Sequence, residues 1–183
     1  MIKYNVHNLF QKMDNDKVKQ ISLKMSLPAA LILFNVDGGI NISMAIRSAA
    51  LFGFSDIYIV GKRKRDKRGD VGACNYIKVH QLETINNEFF KENMLMPIII
   101  EQNGESLEEI DFRPYFPKDK FKVAFIVGSE QDGVPKYLIN SNIPIISISQ
   151  YGVMRSFNVA MASSIVMYEY TRQLRKSILK DIL

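Results

Sequence analysis

Short runs of consecutive apolar residues recur along this chain, and the segments between them carry apolar side chains at helical spacing. Six runs predict strands of a sheet: residues 29–34, 56–61, 77–79, 97–100, 121–127 and 143–148. The segment 41–52 between the first two predicts a helix, which Gly53 ends. Because strands and helices alternate, the sequence predicts an α/β fold with a mostly parallel sheet and helices on both faces.

Helix boundaries follow from capping residues. Residues 8–25 carry a weak apolar stripe and predict one or two helices before Pro28. Asn41 or Ser43 is expected to cap the helix after the first strand. Ser156 is expected to cap a final helix over 156–180. Residues 83–93 and 136–140 predict two further helices, the second with Pro135 in its first turn.

At 183 residues and 47% hydrophobic, the chain is long enough for one domain with a full core. Neither repeats nor linker-like segments suggest a second domain. We therefore expect a single domain, with residues 1–27 as a helical extension and residues 28–183 as the core.

Positive charge is concentrated in one segment of a chain whose net charge is +5. Six of the seven residues from 62 to 68 are basic: Lys62, Arg63, Lys64, Arg65, Lys67 and Arg68. Like charges at this density repel one another, and a polyanion would relieve the repulsion. We expect this segment to contact RNA phosphates, although a solvated loop would have the same composition.

Several other kinds of site find no support in the sequence. The single cysteine, Cys74, excludes an intramolecular disulfide, and the isolated His7 and His80 give no metal-ligand pattern, so no metal is expected. Neither GxGxxG, GxxxxGK[ST] nor GxSxG is present. The first residues lack the apolar core of a signal peptide, and no run of 18 apolar residues exists, so a cytoplasmic protein without membrane segments is expected.

Three polar segments follow predicted strands, at residues 41–47, 128–135 and 148–158. Open parallel sheets bind ligands at the carboxyl ends of their strands. Taken together, NISMAIR, GSEQDGVP and ISQYGVMRSFNVAMA resemble the three motifs of the SpoU family, RNA ribose 2′-O-methyltransferases of the SPOUT class. The matching positions are Asn41, Arg47, Glu130, Ser156 and Asn158. The chain departs from the motifs at Ser43, Ser149 and Phe157, where glycine, proline and leucine are usual.

The resemblance implies a carboxyl-terminal trefoil knot that binds S-adenosyl-L-methionine. Gly128, Ile148 and Phe157 would hold this cofactor through backbone groups and apolar packing. Further candidate cofactor-binding residues lie nearby: Glu101, Ser129, Gly133, Tyr151 and Met154. The family also implies a homodimer with the site at the interface.

The implied reaction is methyl transfer to a ribose 2′-hydroxyl of RNA. The segment Tyr170-Thr171-Arg172-Gln173 resembles the tRNA-modifying branch of the family. The resemblance therefore implies tRNA, with a D-loop guanosine as the first expectation and ribosomal RNA as the second. A non-catalytic RNA-binding module of the same fold is the main alternative. A small-molecule enzyme on a generic doubly wound fold is a weaker one, because the nucleotide fingerprints are missing.

Arg47 has two possible roles in such a site. The resemblance implies that it is the base, yet a guanidinium almost never loses its proton in a protein. It could instead grip the adjacent RNA phosphate and polarise the hydroxyl while another group takes the proton. Asn41, Glu130, Ser156 and Asn158 would orient Arg47, the ribose and the knot. The sequence leaves both roles open.

Overall fold

A computed structural model of the protein describes residues 6–117 and 120–180, with side chains described up to residue 178. The described part contains one sheet of six strands: β1 (Leu27–Phe34), β2 (Phe54–Val60), β3 (Lys78–Leu82), β4 (Leu95–Ser106), β5 (Lys122–Val127) and β6 (Ile145–Ser147). Their spatial order is β3-β2-β1-β5-β4-β6, and every pairing is parallel. The predicted parallel sheet is confirmed.

Helices cover both faces of this sheet: α1 (Asn15–Met25), α2 (Gly39–Phe52), α3 (Lys67–Asp70), α4 (Asn87–Glu92), α5 (Lys136–Ile139) and α6 (Val159–Lys180). Side chains of β1 alternate between two cores because successive residues of a strand point to opposite faces. Leu31 and Leu33 pack in a core with residues of α2 and α6. Ile32 and Phe34 pack in a second core with residues of α4 and α5.

The strand order reverses between β1 and β5. From β1 the chain proceeds outward through β2 to β3, whereas β4 and β6 lie on the other side of β5. Ligands of open α/β sheets bind beside such a reversal, at the carboxyl ends of the strands. The segments that follow β1 and β5 leave from this position.

Two predicted helix caps are wrong. Gly38, with φ of +78°, precedes α2 and makes no side-chain cap, so Asn41 and Ser43 lie inside the helix. Helix α6 begins at Val159, where the side-chain oxygen of Asn158 accepts a hydrogen bond from the backbone N–H of Ala160 at 2.9 Å. Ser156 is not the cap, because the segment before Asn158 stays irregular and lines a cavity.

Other boundaries also differ from the prediction. Strand β4 extends well beyond the predicted residues 97–100 because β6 pairs with its second half after a register shift. Helix α4 starts only after Asn86, which caps it. Pro135 lies just before α5 rather than in its first turn. Residues 8–25 form a 3₁₀ turn and α1, as predicted. No helix among the described residues is long and apolar enough to span a membrane.

Candidate active site

A cavity of about 350 Å³ opens beside the middle of β4 and at the carboxyl ends of β5 and β6. This volume lies at the lower end of the range for small-molecule sites. Six of the predicted cofactor-binding residues line it: Glu101, Gly128, Ser129, Gly133, Ile148 and Phe157. The structure places the other two, Tyr151 and Met154, outside this wall, with exposed fractions of 86% and 78%.

The loop after β5 folds back on itself and forms one wall of the cavity. Ser129 and Gly133 form an antiparallel bridge, and the N–H of Gly133 donates to the carbonyl of Ser129 at 3.0 Å. A Cβ atom on Gly128 would lie 2.0 Å from the carbonyl carbon of Gly133. A side chain at position 128 would therefore push this wall open, and Gly133, with φ of +66°, also favours glycine.

A chain of side-chain hydrogen bonds joins the three motif segments. Asn158 Nδ2 donates to Asn41 Oδ1 at 3.1 Å, and Asn41 Nδ2 donates to Glu130 Oε1 at 2.7 Å. The second carboxylate oxygen of Glu130 accepts the backbone N–H of Asp37 at 3.2 Å. Segments 89 and 117 residues apart in the chain thus share one network.

This network fixes the orientation of both amides. Asn158 uses its oxygen to cap α6 and its nitrogen to reach Asn41. Asn41 uses its oxygen for Asn158 and its nitrogen for Glu130 and the carbonyl of Asp37. Because the side-chain nitrogen and oxygen of both asparagines have hydrogen-bond partners, neither amide can flip without losing hydrogen bonds. Glu130 itself stays exposed and lines the cavity, so its charge faces any ligand there.

The two remaining motif residues lie apart from this network. Ser156 lines the cavity but makes no side-chain hydrogen bond to another described residue. Arg47 is exposed on α2 and lines a different cavity, of about 610 Å³, between α1 and α2. Within the described residues it forms neither a hydrogen bond nor an ion pair, so its guanidinium is available to a ligand.

The basic segment divides into paired arginines and unpaired lysines. Arg63 pairs with Asp37 at 3.0 Å, Arg65 with the buried Asp70, and Arg68 with Asp66. The hydrogen bonds from Arg68 lower the pKa of Asp66 to about 2. In contrast, the lysines are exposed and have no carboxylate within ion-pair distance among the described residues: Lys62, Lys64 and Lys67. Contact of these six residues with RNA phosphates stays a prediction, although the three arginines already share their charge with a carboxylate of the chain.

Sequence reasoning did not identify several residues around the cavity. Asp37 links Glu130 to Arg63, and Gln102 donates from its side chain to the carbonyl of Arg155 at 3.2 Å, which ties β4 to the irregular segment. Asp37 could have been noticed, since it is the carboxylate nearest to Asn41 in the chain. Gln102 carries no sequence signal. Within the described ranges, no three His, Cys, Asp or Glu residues cluster as metal ligands.

Comparisons with known proteins agree with this geometry. The model of the SpoU rRNA Methylase family matches residues 28–168. A tRNA (guanosine(18)-2′-O)-methyltransferase of Borreliella burgdorferi is 24% identical over 152 residues, which is 78% of this chain. The chain spans 66% of that relative, just under two thirds of its length.

Solved structures share the fold. The TrmH/SpoU tRNA modifying enzyme of A. aeolicus superposes with a TM-score of 0.74 over 89% of this chain and 83% of that one, at 20% identity. An AdoMet-bound rRNA methyltransferase from Sinorhizobium meliloti superposes with a TM-score of 0.66 over 86% of this chain and 60% of that one, at 25% identity.

Proposed function

Because the chain belongs to the SpoU rRNA methylase family, we propose that it transfers a methyl group from S-adenosyl-L-methionine to a ribose 2′-hydroxyl of RNA. The observation that carries the proposal is the hydrogen-bonded chain Asn158–Asn41–Glu130 beside the cavity. Three segments distant in sequence supply it, and a non-catalytic RNA-binding module would have no use for such a network at a small-molecule cavity.

The lining of the cavity suits this cofactor, which has an adenine ring and carries a sulfonium, an ammonium and a carboxylate. Ile148 and Phe157 line the cavity and would provide apolar contact for the ring, and the folded loop from Gly128 to Gly133 would offer backbone groups to its polar atoms. Glu101 and Glu130 give the cavity negative charge, which attracts the two cationic groups. No metal is needed for the proposed chemistry.

When bound, the cofactor supplies an electrophilic methyl group whose bond to sulfur breaks as a bond to the ribose oxygen forms. The residues of this chain hold the reactants in line, which lowers the entropic part of the barrier. Glu130 and Asn158 fix Asn41, and Asn41 with Ser156 would contact the ribose. Apolar side chains such as Phe157 exclude water.

Arg47 grips the phosphate next to the target ribose and polarises its hydroxyl in this proposal. The free guanidinium supports this role, because a planar fork of donors matches phosphate oxygens. The proton of the 2′-hydroxyl is then transferred to water or to another group of the site. Because Arg47 lines a different cavity from Glu130, the site is best completed by a second copy of the chain.

A homodimer fits the exposed apolar side chains of α2 and α6. Met44 and Leu51 are seven residues apart on α2 and lie on one face, and so are Met161 and Tyr168 on α6. These side chains are 46–76% exposed, and the two helices pack against each other. We also propose that residues 28–183 form one domain with the carboxyl-terminal trefoil knot of the family, preceded by the helical extension 1–27.

We favour tRNA as the substrate, since the relative from B. burgdorferi is named for guanosine 18 of tRNA. The corresponding D-loop guanosine is the first target to test. Ribosomal RNA is the second, because the S. meliloti neighbour is an rRNA methyltransferase.

Replacing Arg47 by alanine tests the proposal. We expect methyl transfer to a tRNA transcript to fall at least 10²-fold, the scale for losing one charge-stabilising donor. Binding of S-adenosyl-L-methionine, measured by calorimetry, should persist. The control is Arg113→Ala, which removes an exposed arginine paired with Asp111. Near-normal transfer by the Arg47 variant, or no cofactor binding by the wild type, would contradict the proposal.

A further inference from the structure

A second groove, of about 690 Å³, lies away from the candidate active site, between α1, the basic segment and the edge strand β3. Five cationic residues line it: Lys19, Lys64, Arg65, Lys67 and Lys78. Two of these, Lys19 and Lys78, lie outside the basic segment and bring positive charge from separate elements. The lining contains no carboxylate.

Most of this charge is not neutralised within the chain. Arg65 pairs with the buried Asp70 and is committed. The four lysines are exposed, and none has a carboxylate within 4 Å in the ranges that the structure describes. Four unpaired ammonium groups around one concave surface repel one another, and a bound polyanion would remove that cost.

The floor of the groove is aliphatic. Ile59 and Ile77 are buried beneath it, and Leu23 and Val79 are half-buried along it. An aliphatic floor with a cationic rim complements a single-stranded nucleic acid, whose phosphates would meet the lysines and whose unstacked ribose or base could reach the floor. A purely acidic peptide would gain nothing from the floor.

The basic segment connects this groove to the candidate active site. Lys64 and Lys67 face the groove, whereas Arg63 pairs with Asp37, whose backbone N–H reaches Glu130. The same segment packs on the start of α2, where the N–H of Asp66 donates to the carbonyl of Gly39 at 2.8 Å. One loop therefore contacts the site through Arg63 and lines the groove through Lys64 and Lys67.

We propose that this groove binds the backbone of the RNA substrate next to the methylated nucleotide, in a single-stranded segment. The inference rests on the proposed function and adds a contact surface to it. It assigns to Lys19 of α1 and Lys78 of β3 the role of phosphate contacts. Helix α1 would then take part in RNA binding, since it forms one side of the groove.

The salt dependence of RNA binding tests this proposal. Lys19→Gln combined with Lys78→Gln should weaken binding of a tRNA transcript. It should also reduce the slope of log K against log salt by about 1.4 units, because each lost phosphate contact to a single strand removes about 0.7. The matched control is Lys91→Gln combined with Lys136→Gln, two exposed lysines on α4 and α5. An unchanged slope in the groove variant, or an equal change in the control, would overturn the proposal.

Cys74 provides a local readout, because it is the one cysteine of the chain and lines the groove. We expect saturating tRNA transcript to slow alkylation of Cys74 by iodoacetamide at least fivefold in the wild type, and S-adenosyl-L-methionine alone to leave the rate unchanged. If Cys74 is alkylated as fast with bound RNA as without it, the groove is not the contact surface. Protection by polyglutamate but not by RNA would refute the proposal as well.

These results are separable from the test of the proposed function. If the wild type binds RNA over Cys74 but transfers no methyl group, the proposed activity fails and the groove stands. If methyl transfer occurs while the slope and the alkylation rate stay unchanged, the groove fails and the activity stands.

Discussion

Two carboxylates at opposite ends of the sheet show how differently the fold uses the same functional group. Asp56 lies near the amino ends of the strands and is 3% exposed. It accepts from Lys122 Nζ at 2.7 Å, pairs with His80 Nε2 at 2.9 Å and accepts from Ser55. Glu130 lies at the carboxyl ends and is exposed, with Asn41 and the N–H of Asp37 as its partners.

The environment of Asp56 favours its charge. Burial alone would raise the pKa of Asp56, but hydrogen bonds from Lys122, Ser55 and His80, with the charge of Lys122, lower it below the ordinary value of 3.8. A carboxylate whose partners are all in the chain stabilises the fold and has little left to offer a ligand. Glu130, which keeps one side open to a cavity, is suited to function. We therefore expect amide substitution of Asp56 to lower mainly the stability of the fold, and amide substitution of Glu130 to lower mainly methyl transfer.

The largest effect on stability is expected at Asp56. Asp56→Asn leaves Lys122 without its counter-charge in a half-buried position, and breaking such a pair costs about 3 kcal/mol of the free energy of unfolding. Urea denaturation at pH 7 measures this loss. Asp111→Asn is the matched control, because Asp111 pairs with Arg113 at the exposed surface, where a pair contributes little. Equal losses in the two variants would show that the buried ion pair of Asp56 stabilises the fold no more than an exposed pair does.

The same contribution should depend on pH. The folded-state pKa of Asp56 is below its unfolded value, so its stabilisation is fully present above about pH 5 and is lost as pH falls through the folded pKa. The difference in unfolding free energy between wild type and Asp56→Asn should therefore shrink below about pH 4. Denaturation curves at pH 7 and pH 3 test it. If this difference in unfolding free energy grows as the pH falls, the folded-state pKa of Asp56 is not below its unfolded value.

At the carboxyl end, Glu130→Gln should lower methyl transfer about tenfold, the equivalent of one charge-assisted hydrogen bond. Asn41 and the N–H of Asp37 donate to different oxygens of Glu130, and a glutamine places an NH₂ group at one of these two positions, so one of the hydrogen bonds is lost. Thermal stability should change little, because the side chain is exposed. Single-turnover kinetics beside a melting curve test both parts. A stability loss comparable to that of Asp56→Asn would show that Glu130 is also structural.

The smallest expected effect separates capping from function. Asn158 caps α6 and Asn86 caps α4, each through its side-chain oxygen. Replacing either by alanine should cost about 1 kcal/mol of stability. Asn158→Ala should additionally slow methyl transfer, because Asn41 loses a hydrogen bond, whereas Asn86→Ala should not. Identical activities in the two variants would show that Asn158 acts only as a cap.

The sequence predicted the features that depend on local pattern. Runs of apolar residues such as 29–34 and 121–127 identify strands buried on both faces, and those strands are confirmed. Parallel strands align their carboxyl ends, so segments that follow them were expected to converge. The structure does bring Asn41, Glu130 and Asn158 within hydrogen-bond distance.

Features that depend on distant partners could not be predicted. Ser156 and Asn158 are both good N-caps, and the choice depends on the cavity wall that holds residues 148–157 irregular. Lys122 meets Asp56 across 66 residues of chain and across β1. The position of Arg47 over a separate cavity is also a tertiary result, and it bears directly on how the site is completed.

A labelled methyl group shows whether the protein methylates a ribose oxygen of RNA. The protein is incubated with methyl-labelled S-adenosyl-L-methionine and a tRNA transcript, and the RNA is then hydrolysed in alkali. A 2′-O-methyl group blocks cleavage of the following phosphodiester, so we expect to recover the label in an alkali-resistant dinucleotide. Label recovered in a mononucleotide, as for base methylation, or no label in RNA, would contradict the proposed function.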